Sequence, residues 1–389
     1  MKKVLIVSCY FQKNYGSALQ AYATQKILDE LGIENITIRY DGLEPEIKKK
    51  KYKFYAKKLL NPEVMLGKIG YVIVRIQKKF SHSSLGNNMR LRDAKIKEFE
   101  KKFRLSPKMS TFVELSEYAR DFDSVLVGSD QLWLTSNLDA DYYTLNWVPD
   151  DVNRISYATS FGVSKLPKEY YEMARNFLNR INYLSIREES GKEIIQEVCG
   201  KNATVICDPT LMFDEKSWLS IQRREPLYNE KYIFCYFLGD NPEQREFVKR
   251  LKNTTNCKIV AILHLNVFVK SDENYADYTP YEIDSAGFIN LIRNSEYVCT
   301  DSFHATVFSI LHKKKFFTFR RFKANYTLQT NSRIDSLLSC LGLFDRLVPA
   351  DLNVNEWQNR EIDYDAVELK LQTLRVKNLE FLKKALKIN

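Results

Sequence analysis

The chain has 389 residues, more than one hydrophobic core ordinarily organises, so two domains are expected. Its 44% hydrophobic and 28% charged composition is that of a globular protein, and no apolar run approaches the ~20 residues of a membrane-spanning helix. The net charge of +10 is unevenly placed: residues 48–104 hold 18 Lys/Arg against 4 Asp/Glu, a net +14, which leaves the remainder slightly acidic. Seven scattered cysteines without a C-x-x-C pair argue against a disulfide framework or a zinc site and fit small buried hydrophobes in a reducing compartment.

"KVLIVSCY" (3–10) is a short apolar run rich in β-formers, the pattern of a strand buried on both faces. Two lysines precede it as in a signal peptide, but the run is too short for an h-region and no small-residue cleavage site follows, so a cytosolic protein is expected. "ALQAYATQKILDELG" (18–32) has helical periodicity through Leu19, Tyr22, Ala23, Ile27 and Leu31 and stops at Gly32. "ENITIRY" (34–40) is a second strand, which completes a β-α-β unit and predicts a parallel sheet. Residues 45–105 break this rhythm. They are lysine-rich and helical in pattern, with "VMLGKIGYVIVRIQKKF" (64–80) as an apolar centre, and read as an insertion in the α/β domain.

The rhythm then resumes. Strands are predicted at 124–128, 154–160, 182–188 and 203–209, and helices at 167–181 and 189–199. The polar stretch "QRREPLYNEK" (222–231) is the boundary. A second series follows, with strands at 232–238, 258–263 and 296–300 and helices at 241–253, 285–295 and 305–311. A long amphipathic helix at 366–387, apolar at Val367, Leu371, Leu374, Leu379 and Leu382, closes the chain. The expected fold class is α/β, with two Rossmann-like domains facing each other. The domains are 1–221, carrying the insertion, and 222–355, followed by a helix at 356–389 that packs back on the first. Ligands are expected at the carboxyl ends of the strands and in the cleft between the domains.

Four strand ends are polar where the strands are not. In "NYGS" (14–17), Asn14 or Ser17 can cap a helix, and Gly16 admits close approach of a ligand to the backbone N–H groups; the same residues also read as a capped turn. In "VGSDQLW" (127–133), Asp130, Gln131 and Trp133 together suit a sugar, and Asp130 can accept a proton from a hydroxyl nucleophile or serve as a helix cap. In "LSIREES" (184–190), Arg187 suits a carboxylate or phosphate, or an ion pair with Glu188, Glu189 or Asp208. In "TDSFHATVFSI" (300–310), Asp301 or Ser302 can cap the helix that begins near His304, and His304 can hold a phosphate or act as a general acid, or be structural. Arg333, in "NSRIDSLLSCLGL" (331–343), offers a further cation to the same cleft. The phosphate-binding, dinucleotide, zinc-protease and nucleophile-elbow motifs are missing, and His264 and His312 lack metal-ligand spacing.

The ordered set "NYGSALQAY", "GSDQLW", "SIREESG", "DPTLMF", "TDSFHATVFSI" and "NSRIDSLLSCLGL" resembles the polysaccharide pyruvyl transferase family from about Val4 to Leu343. The resemblance implies a GT-B-like fold and transfer of the pyruvyl group of phosphoenolpyruvate to sugar hydroxyls as a ketal, with release of phosphate, in the building of capsules and exopolysaccharides. It implies donor-binding positions at Arg187 and His304; Ser302, Phe303 and Arg333 of the second domain are expected to complete the donor side, and the first-domain strand ends, with Asn14, Gly16, Ser17, Asp130, Gln131 and Trp133, to hold the acceptor. His304 is then expected as the acid and Asp130 as the base, with Arg187 assisting. No metal and no cofactor is expected, phosphoenolpyruvate being a co-substrate. Many members carry Arg two residues before the histidine; here that position is Ser302, so either another cation, such as Arg333, Arg320 or Arg321, replaces it or the donor binds differently.

The basic insertion reads as a solvated helical face or as a surface that docks on anionic lipid, where lysines flank an apolar stretch. Docking through 48–104 would bring the enzyme to a lipid-linked glycan acceptor at the inner face of the plasma membrane. Nucleic acid is not expected as a partner, because no recognised module accompanies the charge. The rival readings are a GT-B glycosyltransferase with a nucleotide-sugar donor and a non-catalytic adaptor that uses the basic segment.

Overall fold

A computed structural model describes residues 2–58, 84–264, 269–321, 332–349, 351–357 and 360–388. Two parallel sheets organise the chain. The first contains β1 (Lys3–Val7), β2 (Glu34–Thr37), β3 (Ser124–Asp130), β4 (Asn153–Thr159), β5 (Tyr183–Ile186) and β6 (Thr204–Val205), in the order β2-β1-β3-β4-β5-β6. The second contains β7 (Tyr232–Tyr236), β8 (Lys258–Ile262), β9 (Tyr297–Thr300) and β10 (Lys315–Thr318), in the order β10-β9-β7-β8. Val4 to Val7 and Val125 to Val127 are wholly buried, as expected of central strands covered by helices on both faces.

The strand order reverses at one place in each sheet. In the first sheet the reversal lies between β1 and β3, and in the second between β9 and β7. At such a point the following connections diverge to opposite faces and leave a crevice beyond the carboxyl ends of the strands. The loops after β1, β3 and β9, three of the four polar strand ends of the sequence, flank these two points.

The two domains are held by aromatic packing and by one helix. Tyr15, from the first helix, Tyr15–Glu30, stacks on Phe288 of the second-domain helix Ser285–Arg293, with ring centroids 5.1 Å apart and planes 7° from parallel. Trp218 meets Phe308 edge-on at 5.0 Å. The helix Tyr364–Leu386 returns to the first sheet: Asn378, fully buried, accepts the Cys207 N–H and donates to the Cys207 carbonyl at 3.1 Å each.

Several predicted bounds shift for local reasons. The first helix starts at Tyr15, with Asn14 as its cap, so Gly16 and Ser17 belong to its first turn rather than to a loop. The predicted strand at 203–209 pairs only over Thr204–Val205, because Asp208 and Pro209 turn the chain into a short helix. In the insertion, helices run over Tyr40–Lys58 and Ser84–Phe99, and the chain rejoins the sheet beside β2, where Thr37 N–H donates to Arg104 O at 2.8 Å. The second of these helices is not a solvated face. Met89, Ile96 and Phe99 are buried, and Arg92, 1% exposed, donates to Leu263 O at 2.8 Å in the second domain and lies 4.5 Å over the Tyr281 ring. The apolar stretch 64–80 lies outside the described residues. Among the described residues no helix is long and apolar enough to cross a membrane.

Candidate active site

The carboxyl ends of the two sheets enclose a cavity of about 310 Å³. Its first-domain wall is made by Gln12, Asn14, Ser17, Asp130, Gln131, Ser136 and Asn137, with Leu132 and Leu134. Its second-domain wall is made by Leu238, Ser302, Phe303, His304, Arg321 and Arg333. One wall is therefore neutral and polar except for a single carboxylate, and the other is cationic.

Asp130 ends β3 with φ at 82°, a conformation that residues with a side chain rarely adopt and that is held by its surroundings. Its Oδ2 accepts the Ser17 hydroxyl at 2.7 Å, and its Oδ1 accepts the Gln131 N–H at 2.9 Å. Arg187 Nη2 and Arg333 Nη1 stand 3.6 and 3.7 Å from Oδ1. Burial opposes ionisation of Asp130, but Arg187, His304 and Arg333 outweigh it and hold the carboxyl down to about 2.

Arg187 lies beneath the cavity rather than on its wall. Its Nη1 donates to Asp208 Oδ2 at 2.7 Å, and its guanidinium sits 4.6 Å over the Phe303 ring. Asp208 is fully buried and also accepts the Thr210 N–H and hydroxyl on Oδ1, at 3.0 and 2.7 Å. Burial opposes its ionisation too, but His304, Arg187 and Thr210 hold its carboxyl far below the usual range. Of the partners expected for Arg187, Asp208 is the one found in direct contact, and Glu188 is 4.0 Å away.

Ser302 caps the helix Phe303–Leu311, its Oγ facing the Ala305 N–H at 3.5 Å. Asp301 does not cap it. Its carboxylate accepts the Leu238 and Gly239 N–H groups at 2.6 and 2.8 Å, so the backbone donors after β7 are already occupied. The cations of this wall are side chains. Arg333 lies 5.6 Å from the Phe303 ring and its buried Nε has no hydrogen-bond partner. Burial, together with the like charge of Arg187, pulls it down to about 9. Of the cations expected to stand in at Ser302, Arg321 and Arg333 line the cavity, whereas Arg320 turns outward to Asp335 at 2.9 Å.

Gly16 sits against His304. A Cβ there would lie 2.1 Å from the His304 Nδ1, so only glycine lets the imidazole approach the first helix. Trp133 is a correction. It is fully buried, donates its indole N–H to the Tyr143 carbonyl at 3.1 Å and packs on Phe161 and Phe177, away from the cavity. The sequence reading missed Gln12, Ser136 and Asn137, for which spacing gives no signal, and gave Asp208 no role beyond pairing with Arg187. Among the described residues no group of three His, Cys, Asp or Glu is arranged to hold a metal.

Two facing Rossmann-like domains with a polar cleft between them define a GT-B-like fold. A solved UDP-N-acetylglucosamine 2-epimerase matches 99% of this chain and 95% of its own at 10% identity, with a TM-score of 0.52, which shows the shared fold. The chain also matches the UDP-GlcNAc 2-epimerase from Neisseria meningitidis bound to UDP-GlcNAc (12% identity, 96% of this chain, 99% of that one, TM-score 0.44). A UDP-glucosyltransferase from Polygonum tinctorium matches at 10% identity over 99% of this chain and 98% of its own, with a TM-score of 0.48. No curated protein matches the chain. The family model for polysaccharide pyruvyl transferase matches residues 14–321, and the chain belongs to that family. It is thus a transferase of polysaccharide biosynthesis with a glycan acceptor.

Proposed function

We propose that the protein transfers the pyruvyl group of phosphoenolpyruvate to two hydroxyls of a sugar, closing a pyruvate ketal and releasing phosphate. The observation that carries this reading is the division of the cavity into a cationic wall (His304, Arg321, Arg333) and a neutral wall with one carboxylate (Asp130). A small dianion with phosphate and carboxylate groups suits the first wall. A sugar ring, with hydroxyls and an apolar face, suits the amides, hydroxyls and leucines of the second. In this scheme His304 delivers a proton to the donor's methylene carbon, the first hydroxyl bonds to the adjacent carbon, and Asp130 accepts that hydroxyl's proton. The C–O bond to phosphate then breaks as the second hydroxyl closes the ketal, and the departing phosphate takes up that hydroxyl's proton. An anion beside Arg333 competes for the charge that now holds Asp130 ionised, which raises the carboxylate's proton affinity as the donor binds. Arg187, already paired with Asp208, supports Asp130 from below rather than gripping the donor.

The test is phosphate release from phosphoenolpyruvate with a panel of sugar acceptors. Release that requires an acceptor and is lost in His304→Ala supports the reading; stabilisation by nucleotide sugars and not by phosphoenolpyruvate would transfer the assignment to the glycosyltransferase alternative. A lipid-linked acceptor, reached at the inner membrane face through the basic segment 48–104, belongs to the same proposal. Flotation with anionic vesicles at low salt tests it, and no binding would remove the membrane from the account.

A further inference from the structure

His304 is gripped by the first domain although it belongs to the second. On one side lies Gly16, whose lack of a side chain makes room for the ring. On another lies the Phe303 ring, edge-to-face at 5.2 Å. On the third is Asp208: His304 Nε2 is buried, has no hydrogen-bond partner, and stands 3.6 Å from Asp208 Oδ2. Turning the ring over would set a carbon where Nε2 now faces the carboxylate.

Asp208 has room for this nitrogen. A carboxylate offers about four acceptor positions. Thr210 fills two through its N–H and hydroxyl, and Arg187 fills a third. Ser129 lies 3.1 Å from Oδ2, but it has one hydroxyl hydrogen and the Ala158 carbonyl is closer, at 2.9 Å. The fourth position therefore points to the unpartnered Nε2. The separation is longer than a hydrogen bond, as catalytic contacts often are before a ligand closes the site.

We propose that Asp208 is a positioning residue for His304, holding the proton on Nε2 across the domain interface so that the proton traded with the donor sits on Nδ1. This rests on the pyruvyl-transfer reading. In the acid step the Nδ1–H bond breaks and its electron pair stays on Nδ1. The donor's double-bond pair forms the new C–H bond at the methylene carbon. The Nε2–H remains with Asp208, and the ring leaves the step neutral in the tautomer that Asp208 favours.

Nitrogen-15 NMR of the histidine rings in the full-length protein, with His304→Gln assigning one signal among the four histidines, reads the tautomer directly. The neutral His304 ring is expected as the Nε2–H form, and Asp208→Asn is expected to abolish that preference. Asp208→Asn is also expected to lower kcat about 100-fold with little change in KM for phosphoenolpyruvate. Because Asp208→Asn strips Arg187 of its nearest carboxylate, Gly16→Ala serves as a second probe: it displaces the ring without altering any charge and is expected to reduce both readouts. An Nδ1–H ring in the wild type, or a tautomer unchanged in both variants, would overturn the proposal. Absence of phosphate release from the wild type would overturn the pyruvyl-transfer reading instead, and the tautomer would still decide the role of Asp208.

Discussion

Arg333 brings a charge into the protein that its surroundings only partly answer. Its nearest carboxylate is 3.7 Å away and shared with Arg187. An incompletely paired buried cation destabilises the free protein and rewards an arriving anion. Phosphoenolpyruvate is therefore expected to raise the thermal unfolding midpoint by a few degrees at about 100-fold over its Kd, and Arg333→Met is expected to lose that shift in differential scanning calorimetry. Asp130 makes a prediction in pH. Its carboxyl is held below its ordinary 3.8, so its stabilisation is complete above that value and is lost as pH falls through about 2. The loss amounts to about 2–3 kcal/mol, and the urea midpoint of Asp130→Asn should fall less steeply over that window. Trp133→Ala, by contrast, is expected to cost about 3–5 kcal/mol in urea unfolding, as removal of a core indole does. These residues also show what the sequence could tell. The placement of Asp130 and His304 at the cavity was legible because each belongs to a polar break at the end of an apolar strand. Trp133 was misread because an indole beside Asp and Gln looks the same on paper whether the loop turns it outward or, as here, back into the core. The contact of Asp208 with His304 was not legible, since the two are far apart in sequence and only the domain interface joins them.

At the scale of elements, the helices that matter are those that end at the cavity or cross between the domains. The helix Phe303–Leu311 presents its capped first turn to the cavity, so Ser302→Ala is expected to weaken it by about 1 kcal/mol. The helix Ser84–Phe99 connects the domains through Arg92 and its carbonyl partners Leu263 and His264. Loss of these charged hydrogen bonds in Arg92→Ala should cost about 2 kcal/mol and separate the calorimetric transition into two, one for each domain. The existence and order of the strands and helices followed from apolar runs punctuated by Gly, Pro, Asn and Asp. The bridging role of the helix Ser84–Phe99 did not, because a basic helix with scattered apolar positions reads as a solvated surface until its partner is placed beside it.

For the whole molecule, two strand-order reversals face one another, and each domain contributes one wall and one grip. The first domain supplies Asp130, Ser17, Asp208 and Gly16; the second supplies His304, Arg321 and Arg333. Neither domain alone assembles the cavity, so its chemistry depends on their apposition. The measurement that tests this account most directly is phosphate release from phosphoenolpyruvate by the purified full-length protein across a panel of neutral sugar acceptors. Release is expected to depend on an acceptor, to yield a product carrying a pyruvate ketal, and to fall at least 100-fold in His304→Ala and Arg333→Met. Release unaffected by both substitutions, or none with any acceptor while nucleotide sugars are turned over, would contradict it.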